Sequence, residues 1–197
     1  MKLRNIGLSV AFLAGCNVLS ASTIIIYTSF LTGPNESPTN NSPATGSALV
    51  TIDTLLHTMQ VQVSFSGLTG NTTASHIHSP TAAPGTGTAG VATITPTFTG
   101  FPLGVTSGTY NQTFDLTSTS SYNPAFVTAN GGTTAGAEAA LLAGLAADEA
   151  YLNIHTSTFG GGEIRGFLVP IPEPATVGLA GLALAGLIFV RRRHLSA

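Results

Sequence analysis

Basic side chains are scarce in this sequence, and where they are missing matters. There are six Lys and Arg among 197 residues, and Lys2, Arg4, Arg191, Arg192 and Arg193 sit at the two ends. Only Arg165 lies between them. Over residues 23–171 the acids are Glu36, Asp53, Asp115, Glu138, Asp148, Glu149 and Glu163, so seven acids against one Arg leave −6. A domain with that balance has no basic footprint for nucleic acid, and no nucleic-acid partner is expected. The single cysteine, Cys16, lies near the N-terminus, which excludes disulfides and thiol chemistry from the rest of the chain. Charged residues are 7% of the total, against about 25% in an ordinary soluble domain. There is no phosphate loop, no paired catalytic carboxylate set and no zinc-finger spacing. "GTGTAG" at Gly85–Gly90 lacks a Lys and a following helix, so it reads as a turn. No catalytic residue is assigned, and the expected role is non-enzymatic.

What is present begins with the ends. Residues 1–22 have a short basic start, an apolar run from Ile6 to about Gly15 and then small residues, the order of a secretory signal peptide. Ser20 and Ser22 suit a cleavage point. A local alternative is "LAGC", Leu13–Cys16, which resembles a bacterial lipobox and would make Cys16 a lipid-bearing N-terminus. At the other end, Ala175–Val190 is sixteen residues without a charge, about 24 Å of helix. That is short for a hydrocarbon core of about 30 Å, yet usable as a membrane helix over 175–190. Arg191, Arg192 and Arg193 would hold its end in the cytoplasm.

Pro172, Glu173 and Pro174 stand directly before this run. The order Pro-Glu-Pro, apolar helix, Arg cluster resembles the PEP-CTERM sorting signal, here residues 171–197. The resemblance implies a Gram-negative bacterium and processing by an exosortase-type membrane enzyme. It implies transient residence in the inner membrane, then the cell surface or extracellular matrix. A polymer or protein of that matrix is the further partner to consider.

Between the ends, residues 23–170 read as one β domain. Met59, Val61, Val63 and Phe65 alternate with Gln60, Gln62 and Ser64, the pattern of a strand buried on one face. "TIIIYTSFL", "SALVTID", "GVATIT", "GTYNQTFDL", "AYLNIHT" and "EIRGFLV" add further strands, and Gly and Pro turns separate them. The expected fold is mainly β, an antiparallel Greek-key-like sandwich or barrel. Ala135–Ala147 is rich in Ala and Leu and predicts a single short helix.

Two stretches carry candidate chemistry, "ASHIHSP" and "YLNIHTSTFGGGEIRG". With a side-chain period of two, His76 and His78 share a strand face, and so do Tyr151, Asn153 and His155. The period also places Glu163, Arg165 and Phe167 together. Three imidazoles, two at i and i+2 and one from another strand, suit Cu or Zn, and the alternative function they offer is a metal-binding protein or a metal-dependent redox or hydrolytic enzyme. The bland alternative is a polar seam in which His76, His78 and His155 only hydrogen-bond. Arg165, the lone base of the domain, is expected in a structural ion pair, with Glu163 the partner on its own face. Glu36 is a candidate interaction residue by position alone, and His57 and His194 read as incidental.

These motifs resemble the CHRD domain over about residues 25–169. "GLTG" at Gly67–Gly70, "HIH" at His76–His78, "NIHT" at Asn153–Thr156 and "GGEIRG" at Gly161–Gly166 carry the resemblance. Gly160 stands where a Pro is common. The family implies a β-sandwich-like fold and supplies no enzymatic activity.

Overall fold

The computed structural model describes residues 24–171. The expected signal peptide, Cys16, the sorting motif and the membrane helix at 175–190 lie outside the described residues. None of the described helices is long and apolar enough to cross a membrane.

The strands are β1 (Ile24–Thr32), β2 (Thr45–Asp53), β3 (Thr58–Ser66), β4 (Thr72–His78), β5 (Gly108–Asp115), β6 (Tyr151–Thr156), β7 (Ile164–Phe167) and β8 (Val169–Pro170). They form one sheet in the order β4-β6-β7-β1-β2-β3-β5, with β8 also paired to β1. Every named pair is antiparallel. The sheet curls into a half-barrel rather than splitting into two facing sheets. The expected mainly β antiparallel class therefore holds, with a single curled sheet as its form.

The two-residue alternation decides what the inside of the curl contains. Tyr27 and Leu31 of β1, Val50 and Ile52 of β2, Met59 and Val61 of β3, and Phe114 of β5 are buried on the concave side. Ile77 of β4, Leu152 and Ile154 of β6, and Ile164 of β7 meet them from the other half. Their outward neighbours Gln60, Gln62, Asn111 and Thr113 are half-buried or exposed. Burying apolar side chains of this size stabilises by about 1.5–3 kcal/mol each. One contiguous core results.

Helix α2 (Thr134–Ala146) closes one side of that core. Thr133 caps it, its hydroxyl accepting from Gly136 N at 3.1 Å. Ala137, Leu141, Gly144 and Leu145 form the buried stripe. Gly144 is where the helix comes closest to the chain after β4, since a Cβ there would lie 2.1 Å from Ser79 Oγ. The expected helix is present with nearly the expected bounds. A second, shorter one, α1 (Pro124–Ala129), was not expected, although Asn123 as N-cap followed by a helix-starting Pro was a readable signal.

"GVATIT" is not a strand, which corrects the sequence reading. It makes isolated bridges only, His78 to Val91 and Thr93 to Tyr122. The physical reason is that threonine side chains take the place of a backbone ladder along the edge of β4. Thr93 Oγ1 accepts from Ile77 N and Thr97 Oγ1 accepts from Ser75 N, both at 2.9 Å. Phe98 follows and packs against Tyr110 and Phe114 of β5 with ring centroids 5.8 and 5.4 Å apart. This irregular segment fills the space between the two terminal strands of the sheet and keeps the edge of β4 from remaining bare. His57 is not incidental either. It sits in the β2–β3 turn with φ +53, and its Nδ1 lies 2.9 Å from a carboxylate oxygen of Glu138 on α2.

Candidate metal centre

The convex side of β4, β6 and β7 carries the polar residues, because Ile77, Leu152, Ile154 and Ile164 occupy the concave side. Antiparallel register sets His76 opposite Asn153, and His78 opposite Tyr151. Asn153 in turn lies opposite Arg165, and Tyr151 opposite Phe167. His155 follows Asn153 by two residues on the same face. Three loops fold over this face. They contribute Asn35 and Glu36, Gly87 and Ala89, and Gly160 to Gly162.

The three imidazoles come together on this face. Ring centroids are 4.8 Å apart for His76 and His78, 4.7 Å for His76 and His155, and 6.3 Å for His78 and His155. One nitrogen from each ring lies within 4.8 Å of the others. Two of the rings are held by backbone carbonyls. His78 Nδ1 is 2.7 Å from Ala89 O, and His155 Nδ1 is 2.9 Å from Gly160 O. A carbonyl only accepts, so each Nδ1 carries the proton and each Nε2 presents a lone pair. Those two Nε2 atoms are buried without a hydrogen-bond partner, as is His76 Nδ1.

Electrostatics keep the cluster neutral. Burial, reinforced by His78 and His155 nearby, pushes His76 down to about 3. Burial also lowers His78 and His155, against the upward pull of their carbonyl hydrogen bonds. Neutral rings with free lone pairs are the ligating form of histidine.

Beside the rings stands Arg165, 4% exposed. Its Nε donates to Asn35 O, and its Nη1 donates to Gly87 O at 3.0 Å, so one side chain ties two of the covering loops to the sheet. Its guanidinium lies 4.6 Å from the centroid of Tyr151, whose ring stacks parallel on His78 at 4.7 Å. The carboxylate facing it is Glu36, 3.7 Å from Nε. Burial raises Glu36 to about 7, outweighing the attraction of Arg165.

The ion pair expected between Glu163 and Arg165 is thus replaced by Glu36 and Arg165. The two-residue period fails because β7 starts at Ile164, one residue after Glu163, and Gly162 bends the chain with φ +131. Glu163 turns to the other side. It is fully buried and accepts from Ser42 Oγ at 2.6 Å, Thr69 N at 2.6 Å, Gly70 N at 3.3 Å and Thr156 Oγ1 at 2.7 Å. Burial pushes its pKa up, but these donors outweigh burial and hold it below the usual carboxylate range. It is therefore not available to the histidines. Glu36 is a candidate by position whose pairing with Arg165 the sequence reasoning missed, since the two lie 129 positions apart. A wide shallow groove of about 540 Å³ lies elsewhere, on the convex side of β1, β2, β3 and β5, and no acid or imidazole lines it.

The donor set fits a late transition metal. Nitrogens bound about 2.0–2.1 Å from one ion lie roughly 3.4 Å apart, so the cluster would contract by about 1.4 Å at most in its longest separation. The carbonyls of Ala89 and Gly160 supply the orienting hydrogen bonds that ligating imidazoles require.

Fold and site together define an antiparallel β domain with a partly buried imidazole cluster beneath surface loops. Residues 27–168 match the CHRD domain, and the chain belongs to the CHRD family. Residues 170–193 match the PEP-CTERM protein-sorting motif, which marks the chain as an exosortase substrate and is consistent with export to the surface of a Gram-negative bacterium. Comparison with curated proteins and with solved structures finds no match.

Proposed function

We propose that this is a non-enzymatic surface or extracellular-matrix component that passes through the inner membrane, is processed near Pro172–Pro174, and holds one copper or zinc ion through His76, His78 and His155. The observation that carries the metal reading is the set of three orphaned nitrogens. A buried polar atom without a partner is costly, about 1–3 kcal/mol each, and three of them converge in one place. Asn153, opposite His76, is the side chain that a purely hydrogen-bonded seam would use, and its Oδ1 is also left without a partner. A bound ion gives all three a partner at once.

The test uses the full chain purified in detergent without a histidine tag. Cu²⁺ and Zn²⁺ are added in excess, unbound ions are removed, and retained metal is measured by elemental analysis. The expected result is about one ion per chain more than a His76→Ala, His78→Ala double variant retains. Comparing the two forms cancels any contribution of Cys16, His57 and His194. Equal retention by both forms refutes the metal reading and leaves the rings as structural residues.

A further inference from the structure

We infer that the three-histidine site selects monovalent copper over zinc. This rests on the metal reading above and concerns which ion the site takes. Three observations carry it.

The first is the charge of the ligands. Among the described residues, the cluster consists of three histidines and no acid or thiol. Imidazoles bring no negative charge, so a bound ion keeps its whole formal charge. The two nearby carboxylates are turned to other partners, although Glu36 Oε1 itself has none. Glu163 accepts from Ser42, Thr69, Gly70 and Thr156, and Glu36 faces Arg165.

The second is the fixed cation. Arg165 lies on one face of the Tyr151 ring, 4.6 Å from its centroid, and Tyr151 lies parallel to His78 with 6° between planes. The guanidinium is therefore separated from the His78 ring only by the Tyr151 ring. Coulomb repulsion scales with the charge of the ion, so a dication feels twice the repulsion of a monocation at the same place. Transfer from water into a buried site also penalises the dication more steeply.

The third is coordination number. Structural zinc sites are almost always four-coordinate with protein ligands, and zinc held by three histidines needs a water as its fourth ligand. Here three nitrogens converge, and no fourth His, Cys, Asp or Glu joins them among the described residues. Monovalent copper, a closed-shell ion without a strong demand for a fourth ligand, is satisfied by two or three neutral nitrogens.

The experiment competes the full chain against a Cu⁺ chelating dye under anaerobic reducing conditions, and separately against a Zn²⁺ dye, both at pH 8. The His76→Ala, His78→Ala variant supplies the background in each case. One equivalent of Cu⁺ above background, bound at least 100-fold more tightly than Zn²⁺, is expected. Zinc binding equal to or tighter than Cu⁺ overturns the selectivity and leaves the metal reading intact. Retention of neither ion above background overturns both.

A second arm isolates the charge argument. Ionised Glu36, 3.7 Å from Arg165 Nε, offsets part of the guanidinium charge. Glu36→Gln removes that offset and should widen the Cu⁺ over Zn²⁺ preference by about threefold or more. Glu36→Asp keeps the charge and should leave the preference near the native value. An unchanged ratio in a folded Glu36→Gln protein overturns the electrostatic basis of the selectivity.

Discussion

Glu163→Ala should be among the most damaging single substitutions in this domain, although it touches neither the core nor the histidines. The carboxylate is fully buried and receives four donors, two of them backbone N–H groups of the Gly67–Gly70 turn. Hydrogen bonds to a charged acceptor contribute about 1.5–3 kcal/mol each. Four of them do not sum, because water entering the vacated space would satisfy some of the donors. A buried donor left unsatisfied costs about 1–3 kcal/mol, so a loss of about 3–5 kcal/mol is expected for the few that water does not reach. For a domain of this size each kcal/mol moves Tm by about 2–4 °C, so the midpoint should fall by roughly 10 °C. Glu163→Gln should fall between. Its amide oxygen can still accept from Thr69 N and Ser42 Oγ, but its NH₂ would face Gly70 N, donor against donor. Thermal denaturation followed by circular dichroism on the metal-free chain reads both variants. A loss below about 1 kcal/mol for Glu163→Ala would show that the turn is held by something other than this carboxylate.

Three further outcomes follow from the same geometry. The metal-free chain should lose stability as pH falls from 6.5 toward 3, because the unfolded chain takes up protons that the buried rings of His76, His78 and His155 resist. The contribution of these rings is fully present above 6.5. Glu36 opposes the trend, its contribution being complete below 4.5 and lost as pH rises through about 7, but one carboxyl faces three rings. Melts at pH 7 and pH 4 decide it, and a higher Tm at pH 4 contradicts the argument. Gly162→Ala should destabilise by about 2 kcal/mol or more in urea unfolding, since φ is +131 and a Cβ would lie 2.4 Å from Glu36 Oε1; a neutral effect would mean that the loop carrying Glu36 yields freely. Replacing Pro172 and Pro174 with Ala, or deleting Arg191–Arg193, should leave an unprocessed chain of higher mass in the inner-membrane fraction, and equal mass and equal export for all forms would refute the sorting route.

The sequence made the strands of the sheet legible where local alternation alone decides burial. β2 and β3 pair residue for residue over their full length, and the period of two names their buried faces correctly. The same rule put His76 and His78 on one face, because β4 runs through both without a break. It failed at Glu163 and at "GVATIT", for related reasons. In each case a residue beside a strand obeys side-chain hydrogen bonding rather than the ladder. Glu163 is pulled toward donors from Ser42 and the Gly67–Gly70 turn. Thr93 and Thr97 use hydroxyls to serve the N–H groups of β4. Such bonds join positions 16 to 121 apart, and no window of local sequence records them. The pairing of Glu36 with Arg165 escaped notice in the same way.

Arg165 links the architecture to the site. The rest of the domain has no other Lys or Arg, so this guanidinium has no rival for the carboxylates around it. Even so, two of its donors go to backbone oxygens of separate loops, Asn35 and Gly87, and its flat face goes to Tyr151. That use suits a planar fork of donors better than a point charge, so Lys could not replace it. The loop holding Gly87 also holds Ala89, which orients His78, and the loop holding Asn35 also holds Glu36. A single side chain thereby fixes the covering loops, lies over the Tyr151 ring that stacks on His78, and sets the local charge beside the histidines. The family motif that contains Arg165 also contains Glu163, which does the corresponding work on the opposite side of the sheet. Adjacent residues of one motif divide the task, with Glu163 anchoring a structural turn and Arg165 building the roof of the histidine site.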